Sequence, residues 1–150
     1  MEDGKTDELS WLLEEDSGKS PRSFVSFENV PVWKDSRLLV RRIYELSRQP
    51  GLASDRSFCD QFRRAALSVM NNIAEGYERG SEAELNRFLY IAKGSCGEVR
   101  SMLYAAQDLK MLSNDDKAEV HELCLSLSRQ LAGFIRHLEA KRANISRAPR

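Results

Sequence analysis

An all-α fold, specifically an antiparallel up-and-down four-helix bundle with a short acidic N-terminal arm, is predicted by three observations. Composition is the first: Leu, Ala, Glu, Arg and Ser dominate the 150 residues, while Gly and Pro number only 8 and 4, the usage of a helical chain. The second is apolar spacing of three and four residues, sustained over long stretches. The third is a set of helix-start signals placed at hairpin distances. Ser57-Phe-Cys-Asp60, Ser81-Glu-Ala-Glu84 and Ser113-Asn-Asp-Asp116 each read as a capping box, in which a hydroxyl and a carboxylate three residues on satisfy orphan backbone donors.

The first helix is expected over about 31–47. Pro31 stands in its opening turn, where a missing N–H costs nothing, and Pro50-Gly51 stops it. Val40, Ile43 and Ser47 form its inward line, with Trp33 sealing one end. The second helix, about 57–78, carries Phe58, Phe62, Ala65, Val69, Ile73 and Tyr77, and Gly80 is its left-handed terminator. Ser81 opens the third almost at once, and so short a join makes the two helices antiparallel. The third, about 82–110, carries Leu85, Phe88, Leu89, Ala92, Val99, Leu103 and Ala106; the fourth, about 114–142, carries Val120, Leu123, Leu127, Leu131, Phe134 and Leu138. Each of these two is about 42 Å long at 1.5 Å per residue. Residues 1–26 read as arm and linker, 27–142 as the bundle and 143–150 as a basic tail, with fraying expected from Ala140 onward.

The formal charge of zero conceals an asymmetry. Residues 1–16 hold seven acids (Glu2, Asp3, Asp7, Glu8, Glu14, Glu15, Asp16) against one base, Lys5, so the rest of the chain carries an equal positive excess. A basic body with an acidic arm points towards polyanionic partners, though solubility alone also accounts for it. Within the arm, a short helix could show Leu9, Trp11, Leu12 and Leu13; such a helix is marginal alone in water and needs something to dock on. No apolar run approaches the roughly 20 residues of a membrane span, and the acidic start is unlike a signal peptide; the expectation is a cytoplasmic protein with no membrane association. Cys59, Cys96 and Cys124 are odd in number and widely spaced, which reads as reduced, packed thiols.

Chemistry-bearing patterns are sparse, and the expectation is no catalytic site, no metal and no cofactor. Di-iron bundles use Glu-x-x-His, but Ala118 and Phe134 precede His121 and His137 at that spacing. Sixteen residues separate the histidines, about 160° around a helix, so they read as solvated or edge-packed. Phosphate-loop, dinucleotide and nucleophile-elbow signatures are absent. Lys93-Gly-Ser-Cys-Gly97 falls mid-helix, where its two glycines cost roughly 1 kcal/mol each; close approach of another helix is the preferred explanation over ligand binding. Asn144-Ile-Ser146 matches a glycosylation acceptor by chance, without secretory context. Gln61, Arg64, Ser68, Asn72 and Glu75 form a polar stripe on the second helix, faced by Glu84, Arg87 and Glu98. Such a stripe is either a solvated face or, given its amides and hydroxyls, a surface satisfied across a seam with another polypeptide.

The run Gln61-Phe-Arg-Arg-Ala-Ala-Leu-Ser-Val-Met-Asn-Asn-Ile-Ala-Glu-Gly-Tyr-Glu-Arg-Gly-Ser81, followed by Glu84-Leu-Asn-Arg-Phe-Leu-Tyr-Ile-Ala-Lys-Gly-Ser95 and Glu98, closely resembles the four-helix bundle family of 23S rRNA intervening-sequence proteins. Phe27-Glu-Asn-Val-Pro-Val-Trp33 resembles that family's first helix, and the likeness covers about residues 27–140. It implies a small bacterial cytoplasmic protein that assembles as a homo-oligomer, with ring-like pentamers the expectation. Gln61, Arg64, Ser68, Asn72, Glu75, Arg79, Glu84, Arg87, Gly94, Ser95 and Glu98 are then candidates for the family motif and subunit interface. A related branch, the accessory variability determinants of diversity-generating retroelements, binds reverse transcriptase and nucleic acid. The acidic arm lies outside the family pattern, and zero net charge is unlike that basic branch.

Two function classes follow, a nucleic-acid-associated oligomer and a protein-interaction scaffold or accessory subunit of a reverse transcriptase; an enzyme is not expected. The first would bind RNA or DNA through Lys34, Arg37, Arg41 and Arg48 on the first helix, with Lys141, Arg142, Arg147 and Arg150 on the tail. A ring would multiply that patch through effective concentration. The second would use Leu9, Trp11, Leu12 and Leu13 to dock the arm on a neighbour or partner.

Overall fold

The computed structural model describes residues 26–147, and every regular element among them is helical. A single turn of 3-10 helix at Phe27–Asn29 leads into α1 (Pro31–Leu46), followed by a one-turn α2 (Pro50–Ala53), α3 (Arg56–Glu78), α4 (Glu82–Asp108) and α5 (Asn114–Arg147). The acidic arm and Arg150 lie outside the described residues.

Four long helices stand where the periodicity puts them, with physical differences at their ends. Pro50-Gly51 stops α1 but also opens α2, because proline suits a first helical position. Gly51 is needed there: a Cβ on it would sit 2.5 Å from the Met111 carbonyl oxygen. The α3 cap is Asp55, not Ser57: its carboxylate accepts from the Phe58 N–H at 2.9 Å, two residues earlier than the expected box. Ser81 and Ser113 do cap, accepting from the N–H groups of Glu84 and Asp116 at 3.2 and 3.1 Å. Gly80 ends α3 with φ +73°. At the end of α4 a lysine does the same work: Lys110 takes φ 54°, and the Met111 N–H reaches the Ala106 carbonyl at 2.8 Å. Nor does α5 fray from Ala140. It runs on to Arg147 through good helix formers, aided by a Lys141–Glu82 pair at 3.2 Å.

Burial follows the three-to-four stripe. Phe62, Val69 and Ile73 from α3, Leu89, Val99 and Leu103 from α4, and Val120, Leu127 and Leu131 from α5 are fully buried. On α1 the inward line is Val32, Leu39, Ile43 and Leu46, with Ser36 and Ser47 also buried, their hydroxyls donating to the Trp33 and Ile43 carbonyls at 2.6 Å. Val40, expected inside, is only half-buried. Trp33 is half-buried too, edge-on to Phe27 with ring centroids 5.1 Å apart. Gly76, within the Asn-Ile-Ala-Glu-Gly block, lets α4 approach α3: a Cβ there would meet Phe88 Cβ at 2.9 Å and Leu85 Cα at 3.3 Å.

Candidate functional site

The α1 cations form a ridge on the outer side of the helix. Lys34, Arg37 and Arg41 are exposed there; Arg48, expected on the same ridge, is exposed too but stands in the turn after α1, which ends at Leu46. The first three, with Leu38 at 44% exposure, line a shallow groove of about 390 Å³. Of the charged neighbours on the same helix, Glu45 lies 3.8 Å from Arg41, and the others are turned to α5. Asp35 accepts from the Gln130 amide of α5 at 2.7 Å. Arg42 clamps α1 to α5, donating to Asp116 at 2.6 Å and to both Glu119 oxygens at 3.0 and 2.9 Å. The hydrogen bond that Arg42 donates to Glu119 holds its guanidinium above its ordinary range. Burial pushes the Asp116 carboxyl up, but bonds from Gln49, Ser113 and Arg42 outweigh it and leave the group below the usual range. Trp33 lies under Arg37, whose guanidinium is 5.9 Å from the ring centroid.

The tail cations do not join this ridge as one patch. Lys141 pairs with Glu82 on α4, and Arg142 lines a separate groove of about 430 Å³ with Glu82, Leu138, Glu139 and Ile145. Arg147 is exposed at the last described turn.

Much of the polar stripe is satisfied within the chain. Gln61 donates to Glu98, and the Ser68 and Ser95 hydroxyls bond at 2.7 Å across α3 and α4. The Asn72 amide donates to the Ser68 carbonyl at 2.7 Å and its hydroxyl at 3.0 Å. Arg79 pairs with Glu75 at 2.6 Å and Arg87 with Glu84 at 3.4 Å, and both guanidinium groups stand 5.3 Å from the Phe88 ring centroid. Glu75 holds Arg79 above its ordinary range. Arg64 is exposed.

The two glycines of Lys93-Gly-Ser-Cys-Gly97 correct the packing expectation. A Cβ on either Gly94 or Gly97 would meet nothing within 4 Å among the described residues, so no other described helix packs on them. Ser95 and Cys96 between them face inward instead. The outer face of α4 is therefore bare at its middle, and Tyr90, Ile91 and Tyr104 stand around it at 50%, 41% and 49% exposure. Tyr90 donates to Glu139 at 2.8 Å, a bond that raises its phenol above the ordinary range. Tyr104 stacks edge-on against His121, its hydroxyl 3.3 Å from Nε2, with the Lys117 ammonium 4.1 Å from its ring centroid. Leu38, Tyr90 and Tyr104 were missed in the sequence. Leu38 had a visible signal, an apolar residue ringed by cations at i−4, i−1 and i+3.

No group of three or more potential metal-ligating side chains comes together among the described residues. Cys96 donates to the Cys124 carbonyl at 3.2 Å, and that neighbour, with burial, holds the Cys124 thiol far above its ordinary range. No helix among the described residues is long and apolar enough to cross a membrane.

Comparison with protein families matches residues 28–133 to the model described as 23S rRNA-intervening sequence protein. Comparison with curated proteins yields no match.

Proposed function

We propose, from the premise that the chain belongs to the 23S rRNA-intervening sequence protein family, that it is a non-enzymatic subunit of a homo-oligomeric ring that holds nucleic acid. The protomer is an antiparallel up-and-down four-helix bundle in this reading. Paired numbers that rise on one helix and fall on the next support it: Gln61 with Glu98 and Ser68 with Ser95, Tyr90 with Glu139 and Tyr104 with His121, Asp35 with Gln130 and Arg42 with Glu119.

The observation that carries assembly is the bare middle of α4. Two interior glycines forfeit roughly 2 kcal/mol of helix stability together and receive no packing from the described residues in return. A helix from another copy, laid along Gly94 and Gly97, recovers that loss through close backbone approach, with Tyr90 and Tyr104 as flanking anchors. Light scattering across a range of protein concentrations tests it. The wild type should give a multiple of the 17.1 kDa protomer, and Gly94→Leu should fall towards one protomer while keeping its helical circular dichroism. A wild type that stays monomeric at high concentration overturns assembly.

Nucleic-acid binding is supported by the ridge of Lys34, Arg37 and Arg41, which a ring repeats at every subunit. With about 0.7 counterions released per single-strand phosphate contact, three contacts give a log–log salt slope near −2 per engaged protomer. Titration of a labelled single-stranded RNA at several salt concentrations reads it. No binding at low salt, or a flat salt response, refutes this part. A second reading, an interaction scaffold, is favoured by Leu38, whose exposed side chain among cations has no use for a phosphate backbone.

A further inference from the structure

We infer that the α1 groove lined by Lys34, Arg37, Leu38 and Arg41 is the docking site of the chain's own acidic segment, residues 7–16. The groove offers two chemistries at once, three cations and an exposed leucine among its lining residues. The acids of α1 do not oppose an anionic occupant: Asp35 is engaged by Gln130, and Glu45 is paired with Arg41 and Arg42 beyond the groove. Residues 7–16 carry the complementary pair of properties. Asp7, Glu8, Glu14, Glu15 and Asp16 supply negative charge with no base among them, while Leu9, Trp11, Leu12 and Leu13 supply apolar surface. In the other groove, beside α5, Glu82 and Glu139 outnumber the single lining cation, Arg142, so it attracts such a segment less.

The tether permits the contact. The described chain begins at Ser26, eight residues before Lys34. Residues 17–25 can span up to about 30 Å when extended, against about 10 Å from Lys34 to Arg41 along the helix. A short tether holds the segment at an effective concentration of order millimolar, enough for a modest site to be occupied most of the time. Because the same ridge is the proposed nucleic-acid surface, the segment then acts as a built-in competitor for polyanions. That consequence rests on the function proposed above; the docking itself does not.

Zero-length carbodiimide cross-linking of the full chain, followed by peptide mass spectrometry, tests the docking. The expected product is an amide between the Lys34 amine and a carboxylate of residues 7–16, formed within one chain and lost in a Leu38→Ser, Arg37→Glu variant. The assignment is overturned by absence of that product, by links to Lys141 in its place, or by links joining heavy and light chains in an isotope-mixed sample. In the full chain, Glu14→Gln, Glu15→Gln, Asp16→Asn should tighten single-stranded RNA binding roughly tenfold at low salt, as expected for releasing a site that is about nine-tenths occupied. An intact cross-link with unchanged RNA affinity leaves the docking standing and overturns the nucleic-acid reading of α1.

Discussion

Gly76→Ala and Gly94→Ala make the same chemical change on adjoining helices and should move stability in opposite directions. At both positions alanine is the better helix former by about 1 kcal/mol. At Gly94 nothing among the described residues stands within 4 Å of the new methyl, so that gain is kept. At Gly76 the methyl would lie 2.9 Å from Phe88 Cβ and 3.3 Å from Leu85 Cα. Those atoms are fixed to the α4 backbone, so relief requires separating two helices in the core. Overpacking of this kind costs about 1–3 kcal/mol, and the rigid neighbours put it towards the upper end, leaving a net loss of about 1–2 kcal/mol. The two variants should differ by about 2–3 kcal/mol, roughly 10 °C in Tm for a chain of this size. Urea and thermal unfolding by far-ultraviolet circular dichroism, at protein concentrations low enough to exclude assembly, measures the difference. A Gly76→Ala variant as stable as Gly94→Ala would refute the close-approach argument.

Other substitutions test single contacts by the same unfolding measurement. Asp55→Ala should cost about 1 kcal/mol as a lost cap, whereas Ser57→Ala should change stability little. Lys110→Gly should stabilise by about 1 kcal/mol, since it removes side-chain strain at positive φ; a loss would mean that the lysine side chain matters more than its backbone. Arg42→Met should cost about 1–2 kcal/mol by stripping Asp116 and Glu119 of their partner, a figure reduced for partial exposure. Because Asp116 is held below its unfolded value of about 3.9, its stabilising effect should be full above about pH 4 and fade on further acidification. The acid sensitivity of Arg42→Met should be correspondingly shallower than that of the wild type.

The long helices were legible because their signals are local: apolar residues three and four apart, and caps beside the first turn. What failed to show depends on distance through space. Pro50-Gly51 reads equally as a stop and as the start of a one-turn helix, and only Met111, sixty residues away, makes the glycine necessary. Asp55 and Ser57 are both sound caps by residue type, and the backbone chose the earlier one. The polar stripe and its facing residue Glu98 are legible, and Gln61 does reach Glu98, but the Ser68–Ser95 bond depends on the α3–α4 register. The cost of Gly94 and Gly97 in mid-helix is legible and suggests packing within the chain; open space on one face of a helix leaves no trace in a single sequence. Arg42 and Arg41 are neighbours of the same type, yet one braces α5 and the other lines the outer groove.

All three thiols are sheltered in the folded chain, Cys59 against the Leu52 carbonyl at 3.0 Å and Cys96 against that of Cys124. Oxidation is then a hazard of the opened chain: an odd set of released sulfurs can pair wrongly or join two molecules. Repeated heating in air should erode the recoverable signal cycle by cycle, while the same cycles under reductant should return it.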